Sequence, residues 1–238
     1  MQLRKKNLLY LIIILILASS LRLFRLSDVP PGLNRDEASI GYNAYSLLQT
    51  GKDEYGLRRP FSFKSFGDWK LPLYIYLTIP FVAVFGLTEI SVRLPSAISG
   101  IATVFVVYLL TYEIFKDITR SNNKIIGGKR NYFTTENISL LSTFLFAISP
   151  WSLFMSRNAS ESNTAVFLVS LGLYFFYRSF SKKWLILVAF IFMALSLYTY
   201  HGNHIFTLLL LIGLSLVYRV KLRTNKWFFP GLGVFILL

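Results

Sequence analysis

The sequence predicts an all-α fold, a polytopic membrane protein built as a bundle of transmembrane helices. Three observations carry this. Hydrophobic residues make up 54% of the 238 and charged residues only 15%, which leaves too little polar surface to clothe a soluble domain. The apolar residues fall in long uncharged runs at 7–21, 71–87, 91–115, 137–154, 163–180, 184–200 and 204–218, most of them near the length that spans a bilayer. The positive charge, +14 net, gathers in the connections between runs, as the anchoring of membrane helices requires.

Residues 7–21 follow Arg4, Lys5 and Lys6 and lead into Arg22 and Arg25 without a small-residue cleavage site. They read as an uncleaved first span. The long polar stretch 34–72 comes next. Asn34 is suited to cap a helix over 35–50, with Glu37 three residues on as the reciprocal capping acid and Gly51 as the stop. Ile40, Ala44, Leu47 and Leu48 share one face, so this helix is expected to lie along the membrane surface. The run 71–87 carries Pro72 and Pro80 and barely reaches spanning length. If it does not cross, 15 of the 25 Lys and Arg lie in the N-terminus, the 116–136 loop and the 178–183 and 219–226 turns, all cytoplasmic. If it did cross, every later basic loop would face outward, against the positive-inside rule. The expected topology therefore has a cytoplasmic N-terminus, an outer loop over 22–90 with interfacial helices 35–50 and 71–87, and one module over 1–238. A seventh span starting near Trp227 runs to the last residue, so the chain is expected to be the N-terminal part of a longer protein.

The absence of cysteine excludes disulfides, zinc–thiolate sites and cysteine nucleophiles. Cytoplasmic anchoring accounts for the positive charge, so no nucleic-acid partner is implied. No glycine-rich nucleotide-binding motif is present. The expected topology collects the remaining ionisable residues on the outer side: Asp36, Glu37, Lys70 and Arg93, then Arg157 and Glu161 in MSRNASESN, then His201 and His204 in YTYHGNH. Charge at membrane depth is costly and marks functional cavities. Each has a plainer reading. Arg93 could snorkel from a helix end, Arg157 and Glu161 could form a local pair four apart, and the histidines could belong to an aromatic belt.

Taken together, NRDE, FKSFGDWKLPLYIY, FGLTEIS followed by VRLPSAISG, SRNASESN after Pro-Trp, and YTYHGN resemble, in order, the polyprenyl-phosphate-sugar-dependent glycosyltransferases of the GT-C fold. These are the protein O-mannosyltransferase and aminoarabinose-transferase-like enzymes. The resemblance covers essentially the whole chain. It implies a GT-C-type bundle that transfers a sugar, with inversion, from a polyprenyl-phosphate donor to a hydroxyl or amine of a protein, lipid or glycan acceptor at the outer face of the cell membrane. It also implies that Asp36 and Glu37 match the essential acids of the first outer loop, with Glu161 as a second outer acid where many relatives have Asp. Lys70, before Leu71 and Pro72, matches the lysine that binds donor phosphate, although the usual second proline is Leu71 here. Arg93 and Arg157 join it as donor-phosphate ligands, and Tyr42 and His201 as residues of the substrate cavity. A divalent cation near the carboxylates is compatible with the sequence but not required by it, and no other cofactor is implied.

The chemistry asks for the same residue types. The acceptor needs a base, which a held carboxylate supplies. The departing phosphate needs cations. Of the two adjacent acids, Glu37 falls where the cap's own N–H is its partner, so Asp36 is expected to be the base. The alternative is a transporter or flippase that binds a polyprenyl-linked sugar without chemistry. It predicts charged or discontinuous elements near the bilayer midplane, whereas here the span interiors are almost free of charge and the polar residues cluster at one face.

Overall fold

The computed structural model describes residues 5–125 and 134–238, with 117–125 described by their backbone alone. The Leu/Ile run behind Lys5 and Lys6 contains no glycine or proline, and it forms α1 (Lys5–Leu23). Helix α2 (Arg35–Thr50) begins and ends as expected. The Glu37 amide donates to Asn34 Oδ1 at 2.9 Å, and the Asn34 amide donates to Glu37 Oε2 at 3.0 Å. This closes a capping box. At the other end Gly51 takes the left-handed conformation, φ 69°, and its amide bonds the Leu47 carbonyl.

A β-hairpin, which an all-α reading leaves out, follows. β1 (Phe63–Ser65) pairs antiparallel with β2 (Asp68–Lys70), turning through Phe66 and Gly67, both at positive φ. A two-residue turn with two positive φ values matches the twist of paired strands. Strands of three residues are too short to show alternation in the sequence.

Pro72 occupies the first position of α3 (Pro72–Phe85), where its missing N–H costs nothing. At about 21 Å this helix is shorter than the hydrocarbon core of a bilayer. Helix α4 (Glu89–Ile125) is the longest. It continues through the first half of the loop expected at 116–136, of which residues 126–133, with Lys129 and Arg130, lie outside the described residues. The span expected over 137–154 is two helices, α5 (Thr135–Ile148) and α6 (Pro150–Arg157), bent by 55°. Pro150 opens α6 and holds Ser149 in an extended conformation, which breaks the helix at that point. Then come α7 (Glu161–Arg178), α8 (Leu185–Leu197), α9 (Gly202–Val217), the short α10 (Arg219–Arg223) and α11 (Phe228–Leu237).

Helix α4 is the hub. It packs against α1, α3, α5, α6 and α7, while α8 bridges α7 to α9 and α11. α4 and α7 run in the same direction. Near their starts Asn163 Nδ2 donates to the Ser96 carbonyl at 2.8 Å, and the hydroxyls of Ser99 and Thr164 meet at 3.2 Å. Near their far ends Arg178 donates to Glu113 at 2.6 Å. α6 approaches α4 at Gly100, where a Cβ would overlap the Ser156 hydroxyl. Three apolar clusters fill the interior. One joins α7, α8, α9 and α11 around Phe176, Phe190 and Met193. Another joins α2, α3 and α4 around Ile40, Tyr74 and Val92. The third joins α1, α4 and α5 around Ala18, Val104 and Ala147.

The described chain is mostly helical, and two of its helices, α1 and the first 28 residues of α4, are long and apolar enough to cross a membrane, or three if α5 and α6 form one bent span. Only 22% of the α1 window is covered by protein, so most of its Leu and Ile side chains stand open. Such a surface is compatible with hydrocarbon and out of place in water. The runs expected as spans at 184–200 and 204–218 form helices of 13 and 16 residues. The first is shorter than its run because the chain turns through Tyr198–His201, and the second begins two residues before its run.

Candidate functional site

The start of α2, the end of β2 and the start of α7 converge on one cavity of about 290 Å³. Its polar lining includes Asn34, Asp36, Lys70, Asn158, Ser160 and Glu161, and Ile40, Phe154, Met155 and Tyr200 supply apolar wall. Three of the sequence-assigned residues, Asp36, Lys70 and Glu161, thus meet from positions 34 and 91 residues apart.

Asp36 follows the cap of α2, so its side chain is free of the capping box. It pairs with Lys70 Nζ at 3.1 Å; the lysine side chain is 9% exposed and the aspartate 64%. The lysine is thus held in the wall, and the carboxylate stands at the mouth. Lys70 owes its position to its neighbours. The Trp69 carbonyl accepts from His201 Nε2 at 2.8 Å, and the Leu73 amide donates to the Tyr198 carbonyl at 3.0 Å. The turn between α8 and α9 therefore clamps the backbone on both sides of Lys70. His201 belongs to this clamp and does not line the cavity. His204 Nε2 bonds the Leu197 carbonyl and serves the same turn.

Glu161, the first residue of α7, has its Oε1 shielded from solvent and without a hydrogen-bond partner. Burial pushes its carboxyl up from 4.5 to about 7; the charge of Lys70 works against that rise and the charge of Asp36 adds to it. A carboxyl placed there exchanges a proton near neutral pH, the condition for general acid–base work.

Glu37, beside Asp36, is elsewhere. It is 1% exposed, and its carboxylate accepts four N–H bonds: from Arg93 Nε at 3.0 Å, Arg93 Nη2 at 3.2 Å, the Ala159 amide at 2.9 Å and the cap amide. The remaining Arg93 donors go to the carbonyls of Leu26, Ser27, Pro30 and Gly32. Arg93 does not snorkel, and in this structure it presents no free donor to a phosphate. It is fully buried, its donors are taken, and with Glu37 it ties 26–32, α2, α4 and the start of α7 into one frame. Arg157 is corrected in the same way. It donates to the carbonyls of Leu21, Phe24, Arg25 and Val29, forms no pair with Glu161, and closes the end of α1 instead of facing the cavity. Tyr42 is half exposed on the outer side of α2 and lines no part of the cavity.

Arg22 was legible only as a charge after the first span. It is fully buried, with Nε donating to Ser156 Oγ, Nη2 to Ser152 Oγ at 2.8 Å and Nη1 to the Ala147 carbonyl at 3.0 Å. The Ser152/Ser156 pair one helical turn apart and the facing Gly100 are its signal. Asn34, read from the sequence only as a helix cap, and Tyr200 are further cavity residues.

Among the described residues no group of three or more His, Asp or Glu is placed to hold a metal ion. The arrangement joins an accessible carboxylate, a wall-mounted ammonium and a carboxyl poised near neutrality. It can bind an anion, take up a proton and release one. No protein-family model, curated protein or solved structure matches the chain, so the class rests on the fold and this site: a helical protein compatible with a membrane, with an acid–lysine cavity at one end of its bundle.

Proposed function

We propose that the chain is a multi-pass membrane glycosyltransferase of the GT-C type, moving a sugar from a polyprenyl phosphate to an acceptor hydroxyl or amine at the outer face of the cell membrane. The observation that carries this reading is the ion pair of Asp36 and Lys70 lining one cavity with Glu161. Donor phosphate competes for Lys70 through charge-assisted hydrogen bonds, and its arrival frees Asp36 to receive the acceptor's proton. The acceptor oxygen or nitrogen then attacks the anomeric carbon as the bond from that carbon to the phosphate oxygen breaks. The bonding electron pair leaves on the phosphate, whose charge Lys70 stabilises, and the proton passes to Asp36. Glu161 orients the acceptor and, titrating near neutrality, relays the proton away. Ile40, Phe154 and Met155 offer the apolar wall that the first isoprene units need. Arg93 and Arg157, with their donors taken by the fold, have no part in holding the phosphate.

The test is transfer of label from radiolabelled polyprenyl-phosphate sugars in membranes carrying the protein. Asp36→Asn keeps the size and loses the basicity, so turnover falls by roughly 10²–10⁴-fold with the protein still folded. Lys70→Ala weakens use of the donor by about 10- to 150-fold and leaves acceptor dependence alone. Wild-type transfer by Asp36→Asn would remove the reading.

A further inference from the structure

A cavity of about 510 Å³ lies at the opposite end of the bundle from Asp36 and Lys70 and lines no part of the Asp36 cavity. Helix α7 starts at Glu161 and ends at Arg178, 18 residues or roughly 26 Å of helix, close to the thickness of a hydrocarbon core. The walls come from the end of α4 (Glu113, Lys116), the turn after α7 (Lys183) and α10 (Lys221), with Tyr177, Phe180 and Tyr218 between them.

The charges here do not balance. After Glu161 the sequence has no acidic residue, and its seven remaining cations all lie in the 178–183 and 219–226 turns. Among the described residues Glu113 is the one carboxylate lining the cavity. It is 4% exposed and consumed by two partners, Lys116 and Arg178. Lys183 and Lys221 have no carboxylate partner among the described residues. Lys183 donates one bond to the Thr224 carbonyl at 2.7 Å, which leaves two of its three N–H donors. The Lys221 ammonium stands over the Phe180 ring at 4.8 Å and near the Tyr218 ring at 5.9 Å. These contacts hold the ammonium without neutralising it. Two held ammonium groups over one cavity, without a carboxylate partner among the described residues, make an anion site.

We propose that this cavity binds a phosphate group, the headgroup of an anionic lipid in the leaflet opposite the Asp36 cavity. Basic pockets between membrane helices take lipid phosphates in this way, and the aromatic rings suit the glycerol and upper acyl region. The site is independent of the sugar-transfer reading and stands or falls separately from it.

The experiment follows the thermal unfolding midpoint of the full chain, purified in neutral detergent, during titration with phosphatidylglycerol, phosphatidylcholine or inorganic phosphate. Phosphatidylglycerol raises the wild-type midpoint and phosphatidylcholine does not. The double variant Lys183→Gln/Lys221→Gln needs roughly 10- to 50-fold more phosphatidylglycerol for the same rise, and Lys183→Arg/Lys221→Arg retains most of the effect. Both lysine heads are exposed, so the substitutions leave the core intact; Lys221→Gln alone shows the same shift in smaller measure. Inorganic phosphate raising the midpoint by itself would overturn the lipid assignment in favour of a soluble phosphate. Equal titration curves for the wild type and the glutamine variants, or for the two lipids, would overturn the site itself.

Discussion

Asp36 and Glu37 are neighbours in the chain and opposites in circumstance. Glu37 is buried against a guanidinium, so Glu37→Gln leaves the Arg93 charge uncompensated in the interior. The expected cost is about 3–5 kcal/mol, read as a lower unfolding midpoint in detergent. Arg93→Lys should cost nearly as much, because an ammonium cannot reproduce the fork that serves Glu37 and four carbonyls. Asp36→Asn, at an exposed carboxylate, should move stability by less than ~1 kcal/mol while abolishing most turnover. A stable Glu37→Gln would place the frame elsewhere. Glu161 gives a pH signature. Its carboxyl is raised from 4.5 to about 7, so between those values the folded state holds more proton than the unfolded state. Stability therefore falls as pH rises through that window and levels off above about 7, by at most ~3 kcal/mol. Glu161→Gln removes the slope, and a wild-type profile already flat there would deny the desolvation. The sequence carried the capping box, and with it the separation of the two acids, because Asn34 and Glu37 are local partners. It could not carry Arg93 or Arg157, whose acceptors are backbone carbonyls from 61 to 136 residues away; in sequence both are only arginines near a boundary.

Lys70 depends on two elements that barely register in sequence, a hairpin with strands of three residues and the turn between α8 and α9. His201 is a positioning residue here, acting through the Trp69 carbonyl. His201→Phe removes that bond and loosens β2, so donor use should weaken by roughly 10-fold, about the worth of one hydrogen bond. His201→Gln, which can donate to the same carbonyl, should recover much of it. If the two variants behave alike, the clamp does not set the position of Lys70. The bend at Ser149–Pro150 was legible as a proline in an apolar run, yet composition alone reads 137–154 as one span. Periodicity located α1, α2 and α4 to within a few residues at most ends because each has a strong cap or an unbroken apolar run. It overran the end of α8, where Tyr and Thr at the turn add no charge to end the run.

At the scale of the molecule, the direction of α4 and α7 decides what each end of the bundle faces. Both helices leave the Asp36 cavity and arrive together at Glu113 and Arg178, so the two cavities face opposite sides if these helices cross. The proposed topology puts the far end, with its cluster of cations, in the cytoplasm by the positive-inside rule, and the Asp36 end outside. The chain has no cysteine, so single cysteines report cleanly. Arg58→Cys, exposed in the connection between α2 and the hairpin, should react with an impermeant maleimide in intact cells. Lys182→Cys, exposed beyond α7, should react only after the membrane is opened. Labelling of Lys182→Cys from outside would invert the protein and move sugar transfer to the cytoplasmic face. Labelling of both from outside would mean that α7 does not separate the two cavities across a bilayer, since one impermeable barrier cannot leave both ends of a crossing helix exposed.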